Sequence, residues 1–217
     1  MVWRDDLGRA LTDHPRPSVA VDVAVLTVPQ DDRHDHRLHV VVVEGPHGVA
    51  LPGTFLHPGE RLADAAVRAL RTKVGVSDLA FHQLAMHDDP ARDDRGWVLS
   101  MAHGAVIPAG ALPADTRLVA VVDGRPAQRL AFDHDEMVTH AVDDLRTRYA
   151  DRPDPDHVLG ERFTLLDLRR LHEAVADREL PKDTFRRRML PFLRGTGEFS
   201  TADVGRPAEL FVPRPAP

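Results

Sequence analysis

Residues 53–76 read Gly53-Thr54-Phe55-Leu56-His57-Pro58-Gly59-Glu60-Arg61-Leu62-Ala63-Asp64-Ala65-Ala66-Val67-Arg68-Ala69-Leu70-Arg71-Thr72-Lys73-Val74-Gly75-Val76, and their pattern decides the fold. Pro58-Gly59 turns the chain, and Leu62, Ala65, Ala66, Ala69, Leu70 and Val74 then recur near helical spacing. This predicts a loop followed by an amphipathic helix. Positions 69, 72 and 73 are three and four apart and therefore share one helix face.

The flanks predict a sheet. Ser18–Val28 is β-branched and partly alternating, Leu38–Val43 is a short apolar run, and the polar stretch Gln30–Arg37 between them suits a hairpin loop. Leu79–Met86, Trp97–Ile107 and Arg117–Val122 supply further strands. Asp133-His134-Asp135-Glu136 opens a helix running to about Tyr149, with acids in the first turn where the helix dipole favours them. Ala150–His157 holds two prolines and three acids and reads as a linker or a helix stop. Beyond it, Thr164 caps a helix over Leu165–Ala176 with Asp167 three residues on. A second helix opens near Pro181 and runs to about Leu193, and the Gly-rich tail 195–212 suits a β-hairpin. Helix, turn, helix and hairpin make a winged helix-turn-helix. The division is 1–152 for the α/β domain and 153–217 for the winged helix.

Composition narrows the function. The chain of 217 residues is 42% apolar, enough for one good core and a smaller second one. It has no cysteine, which excludes disulfides, thiolate zinc sites and cysteine nucleophiles and is compatible with a reducing cytoplasm. No stretch approaches the roughly 20 apolar residues of a membrane span, and the N-terminus has no signal-peptide core. Residues 1–156 carry 17 Arg and Lys against 25 Asp and Glu, whereas residues 157–217 carry 11 against 9. The basic excess clusters in Leu180-Pro-Lys182-Asp-Thr184-Phe185-Arg186-Arg187-Arg188-Met-Leu190, where Phe185, Met189, Leu190 and Leu193 are spaced for one buried face. Lys182, Thr184, Arg186, Arg187 and Arg188 then face outward, as a helix entering the major groove requires. Arg206, at the far side of the wing, is a candidate phosphate or minor-groove contact.

The opening stretch resembles the Nudix box of pyrophosphohydrolases, which runs Gly, five residues, Glu, seven residues, Arg-Glu-apolar-any-Glu-Glu-any-Gly-apolar. Glu60, Arg68, Leu70, Gly75 and Val76 fall in register, but Thr54 stands for the opening Gly, and Ala69, Thr72 and Lys73 stand for the three later glutamates. The family's glutamates hold Mg²⁺ beside a diphosphate. Mg²⁺ needs oxygen ligands, and Ala, Thr and Lys change that face from three negative charges to one positive. The sequence thus predicts binding without efficient turnover, no catalytic residue and no resident metal. Lys73 and Arg68 could supply charge to a diphosphate.

Both halves together resemble the bacterial Nudix-related transcriptional regulators of NAD metabolism. The residues that carry the likeness are Phe163-Thr164-Leu165, Phe185-Arg186-Arg187, Gly205-Arg206-Pro207-Ala208 and, at the join, Leu130-Ala-Phe-Asp133-His134. The resemblance implies a Nudix-like α/β/α sandwich with a C-terminal winged helix, a homodimer, a palindromic operator in double-stranded DNA, and ADP-ribose or a related nucleotide or sugar as effector. Arg16, Arg68, Arg95 and Trp97 are its ligand candidates, with the indole available to stack on a base. Phe55 and Glu60 of the loop complete the set.

Two other readings remain open at this point: a residual Mg²⁺-dependent hydrolase using Glu60 with Asp64, Asp88 or Asp89, and a non-catalytic nucleotide-binding protein whose small C-terminal domain contacts protein. The 13 histidines, His34, His36 and His39 among them, show no metal-binding spacing, and no Gly-x-Ser-x-Gly occurs.

Overall fold

The computed structural model describes residues 3–29, 36–200 and 207–214. A mixed sheet is built on β1 (Ser18–Thr27). Its odd residues Val21, Val23 and Val25 point to one side and pack with Ala65, Ala66 and Leu70; its even residues Ala24 and Leu26 point to the other and pack with Met137, Val138 and Val142. That two-residue alternation places one helix on each face and makes the α/β/α sandwich. The remaining strands of this domain are β2 (His39–Val41), β3 (Val43–Gly45), β4 (Gly48–Ala50), β5 (Gly53–Phe55), β6 (Phe81–His87), β7 (Val98–Val106), β8 (Leu118–Val122) and β9 (Arg125–Pro126). Its helices are α1 (Leu62–Lys73) and α2 (His134–Tyr149). The order across the sheet is β6-β7-β1-β2-β8-β9, with β7 parallel to β1.

β1 has two partners on one edge. Its first half pairs with β5 through Ala20 to Asp22, and its last two residues pair with β2. The chain between those strands leaves the sheet as the β3–β4 hairpin. The expected single strand Leu38–Val43 is therefore split at Val42, and Gly53–Phe55, ahead of the expected turn at Pro58-Gly59, is a strand. Short pairings of this kind depend on a distant edge rather than on local pattern. After α1, Gly75 adopts a left-handed φ of 79° and lets the amide of Val76 return to the carbonyl of Leu70.

The C-terminal unit comprises β10 (Phe163–Thr164), α3 (Leu165–Ala176), α4 (Lys182–Met189), β11 (Leu193–Phe199) and β12 (Glu209–Pro213). Its own core is Phe163, Leu168, Phe185, Met189, Leu193 and Phe211. Thr164 caps α3 as its sequence predicts, its hydroxyl accepting from the Asp167 amide while the Asp167 carboxylate accepts from the Thr164 amide. α4 ends at Met189, earlier than expected, because Pro191 tightens residues 190–192 into a 3₁₀ turn.

Leu171, Ala174 and Val175 of α3 are buried in the same core as α2, and full burial of a Leu or Val side chain stabilises by roughly 1.5–3 kcal/mol. The acidic stretch after α2 is an anchored strap rather than a free tether. Buried Asp154 accepts from the Tyr149 hydroxyl at 3.1 Å and from the amides of Val158 and Leu159 at 3.0 and 2.8 Å.

Candidate functional site

Where β2 and β5 diverge along β1, a cavity of about 920 Å³ opens between the sheet, the β3–β4 hairpin and the end of α1. Its floor carries buried polar groups. The Ser100 hydroxyl donates to Asp22 Oδ2 at 2.6 Å, His134 Nε2 lies 3.6 Å from Asp22 Oδ1, and the Leu51 amide donates to His134 Nδ1 at 3.0 Å. Burial pushes the Asp22 carboxyl upward, but its bonds to His134 and Ser100 outweigh this and hold it below the ordinary carboxylate range. Gly53 is required beside it, since a Cβ there would sit 1.8 Å from Asp22 Oδ1.

Arg95 forms one wall. Its Nε and Nη2 donate to Asp93 at 2.8 and 2.6 Å, and its guanidinium lies 5.2 Å from the Phe55 ring centre and 4.8 Å from that of Phe132. A planar cation held between two aromatic faces and fixed along one edge by a carboxylate is oriented before any ligand arrives. Phe132 takes a left-handed φ of 58°, a strained conformation for a bulky residue and one that marks functional sites. Behind it, Arg92 donates to both oxygens of Asp133 at 2.9 and 2.6 Å, and His87 Nδ1 lies 2.9 Å from the same carboxylate.

Arg71, Thr72 and Lys73 line the cavity beside this wall, so the α1 face whose register carries the Nudix glutamates does meet the cavity. Ala69 is fully buried. Nothing on that face offers a carboxylate, and among the described residues no group of three or more His, Cys, Asp or Glu could hold a metal ion. These residues do not fit Mg²⁺.

Of the predicted ligand residues, Phe55 and Arg95 are brought together on the cavity wall. The structure places the other four outside its lining. Arg68 is already occupied: Nε and Nη2 donate to Glu60 at 2.8 Å each, Nη1 to Thr54 Oγ1 at 2.9 Å, and Nη2 to the Phe55 carbonyl at 2.9 Å. This pair locks the loop onto α1, and the Arg68 guanidinium with the His57 amide pulls the Glu60 carboxyl down to about 2. Arg16 and Trp97 lie outside the cavity, both exposed where the β1 and β7 strands begin. Asp22, Asp93, Arg92, Phe132 and His134 are the site residues that sequence reasoning passed over. Phe132 and His134 lie in the stretch at the join that carries the family likeness, and the Asp93-x-Arg95 spacing is the other local signal.

On α4, Phe185 and Met189 are buried while Lys182, Thr184, Arg186, Arg187 and Arg188 are all exposed. None of Lys182, Arg186 or Arg187 has an ion-pair partner among the described residues, so their charge is available to a polyanion. Arg206 lies outside the described residues, as does His34.

Residues 155–212 match the NrtR DNA-binding winged helix domain. The chain is 28% identical over 216 residues to the ADPR responsive transcriptional repressor NtrR of Acinetobacter baylyi, covering 92% of this chain and 83% of that one. It superposes on the crystal structure of Shewanella oneidensis NrtR complexed with a 27mer DNA with a TM-score of 0.72 at 27% identity, covering 90% and 93% of the two chains. Residues 155–212 thus carry the winged helix of the Nudix-related transcriptional regulators, and the chain as a whole is similar to members of that group. The NUDIX domain of the Shewanella oneidensis protein complexed with ADP ribose shares the fold of the N-terminal part, with a TM-score of 0.50 at 24% identity over 64% of this chain and 95% of that one. A Nudix-related regulator needs one sensing cavity and one DNA-binding face. In this chain the β1 fork holds the cavity, and α4 carries the exposed basic face. No helix among the described residues is long and apolar enough to cross a membrane.

Proposed function

We propose that this regulator binds ADP-ribose in the β1-fork cavity without a metal, does not turn it over, and lowers its grip on a DNA operator when the ligand is bound. The observation that carries the reading is the pairing of two features in one chain: a large preformed cavity whose Nudix face is cationic, and a helix that presents five exposed polar or basic side chains over a buried apolar face. The relative from Acinetobacter baylyi is by its name ADP-ribose responsive and a repressor, which supports the choice of effector and the direction of the response. The aromatic rings of Phe55 and Phe132 suit a nucleobase or ribose face, and Lys73 with Arg71 suits the diphosphate.

The domain division 1–152 and 153–217, a homodimer on a palindromic operator and action in the cytoplasm complete the proposal. Ligand would then change the spacing of two winged helices relative to two half-sites. The hydrolase reading has less support. Asp64 accepts from the Arg61 amide at the start of α1, Asp89 caps a turn through the Ala91 amide, Asp88 is exposed, and none of the three lines the cavity.

The test is calorimetric titration with ADP-ribose in EDTA and in Mg²⁺, alongside chromatographic assay for AMP release and anisotropy on duplex DNA. Equal affinity in both buffers, no AMP, and duplex release by ADP-ribose are expected. Brisk AMP formation with Mg²⁺ and no duplex binding would reject the proposal.

A further inference from the structure

Helix α2 has one end in the cavity and the other against the DNA-binding unit. Its first residue, His134, bonds the Leu51 amide and faces Asp22 on the cavity floor, while Phe132 and Asp133 just ahead of it contact Arg95 and Arg92. Fifteen residues later Tyr149 ends the helix, about 22 Å away at 1.5 Å per residue. There its ring meets the imidazole of His172 on α3 edge-on, 5.4 Å between centres, and the other side of that imidazole meets Phe185 of α4 at 5.1 Å, both at 66°. His172 Nε2 also donates to the Pro153 carbonyl at 2.7 Å, tying the strap to the same point. His172 is 3% exposed, and Phe185 is the neighbour of Arg186 on the DNA-facing helix.

We infer that α2 transmits occupancy of the cavity to the recognition helix and that His172 is the positioning residue at the joint. This rests on the functional reading above and adds its route. A helix packed along its length is stiff, and a close-packed aromatic joint shifts between discrete arrangements rather than deforming smoothly. Residues Met137, Val138, Ala141, Val142 and Leu145 of α2 share one buried cluster with Leu171, Ala174 and Val175 of α3. A small displacement of the first turn of α2, where ligand would meet Phe132 and His134, is therefore carried to α3 and, through the imidazole, to Phe185. The cavity and α4 share no lining residue, and the joint supplies ring contact on both sides of α3.

The decisive quantity is the ratio of duplex dissociation constants with and without saturating ADP-ribose. It is measured by anisotropy on the duplex that the wild-type protein selects from a random library. For the wild type a ratio of about tenfold or more is expected. His172→Leu fills the same space with an apolar side chain but removes the ring and the bond to Pro153. It should keep ADP-ribose affinity and ligand-free duplex affinity within about threefold of wild type, while the ratio falls to within twofold of one. A purely structural role would weaken duplex binding equally with and without ADP-ribose, leave the ratio intact and overturn the inference. A wild-type protein whose duplex binding ignores ADP-ribose would instead overturn the functional reading and this inference with it. If His172→Leu shows no cooperative unfolding transition, Phe185→Leu is read by the same ratio. That variant keeps an apolar side chain under α4 and removes the ring that meets the imidazole, so a loss of at least threefold in the ratio is expected, and an unchanged ratio overturns the inference.

Discussion

Acid should unfold this protein partly through a single imidazole. His172 is packed between Tyr149 and Phe185, and burial pulls its pKa from the ordinary 6.5 down to about 4. The neutral ring is thus favoured in the folded state, and the unfolded chain binds the extra proton first. Stability is fully present above pH 6.5 and is lost as the pH falls toward 4. The complete difference of two and a half pH units corresponds to about 3 kcal/mol at 1.4 kcal/mol per unit, of which about 2 kcal/mol is already lost at pH 5.

In His172→Leu the charge penalty is gone, but the Pro153 carbonyl loses its donor, at a cost of roughly 1–3 kcal/mol. The variant should therefore be less stable than wild type at pH 7.5, and its deficit should shrink by about 2 kcal/mol at pH 5. Urea unfolding of both proteins at the two pH values reads this directly, because every other titrating group is common to both and cancels. Parallel pH dependence in the two proteins would refute the assignment of a buried neutral imidazole at this joint.

Replacing Arg186 and Arg187 by Ala should weaken duplex binding and flatten its log–log salt dependence by about 2, near 0.9 for each phosphate no longer neutralised, with ADP-ribose affinity unchanged in calorimetry; an unaltered salt slope would remove α4 from the interface. Gly53→Ala places a methyl group 1.8 Å from Asp22 Oδ1 and 2.8 Å from the Val21 carbonyl, so it should lower the unfolding free energy by about 1–3 kcal/mol and reduce ADP-ribose binding, and a fully stable variant with normal affinity would contradict the close approach of β5 to β1. Thr72→Glu combined with Lys73→Glu restores two acids on the exposed part of the α1 face and should give saturable Mg²⁺ heat where wild type gives none. Calorimetry without that signal in a folded double variant would argue against the Nudix register of α1.

What the sequence revealed and what it hid divide along the range of the interactions. The alternation of Val21, Val23 and Val25 against Ala24 and Leu26, the helix at Leu62–Val74 and the Thr164–Asp167 cap depend on residues within one or two turns of each other, and each is legible as a local pattern. The buried face of α4 is legible for the same reason, although Pro191 shortens the helix. The fork at β1 is not, since β5 and β2 find their partner only through the three-dimensional edge. Charge pairing is the hardest to read. Glu60 and Arg68 each look like a ligand group when taken alone, yet eight residues of loop and helix bring them together and they neutralise one another. Asp22 sits in an apolar strand and His134 in the acidic first turn of a helix, more than a hundred residues apart, so nothing nearby marks either as part of a cavity.

The pairing of acids also supports the proposed reading of a receptor over that of a hydrolase. A metal-dependent hydrolase needs carboxylates that converge on one point and have no other partner, so that the cation supplies their compensating charge. Here Asp133 is held by Arg92 and His87, Asp93 by Arg95, Glu60 by Arg68, and Asp22 by Ser100 and His134. Each of these acids around the cavity is satisfied by the protein itself. Arg71 and Lys73 in the cavity lining have no ion-pair partner among the described residues, and of the acids in that lining Asp22, Glu44 and Asp93 are paired with His134, Arg117 and Arg95, which leaves Asp115 against two free cations and a positive balance. A site of that kind stabilises a bound dianion in its ground state, and interactions equally strong in ground and transition states tighten binding without accelerating chemistry. What a sensor requires beyond such binding is a difference in the ligand's affinity for the two states, because the ligand can shift the DNA-binding equilibrium only by that difference.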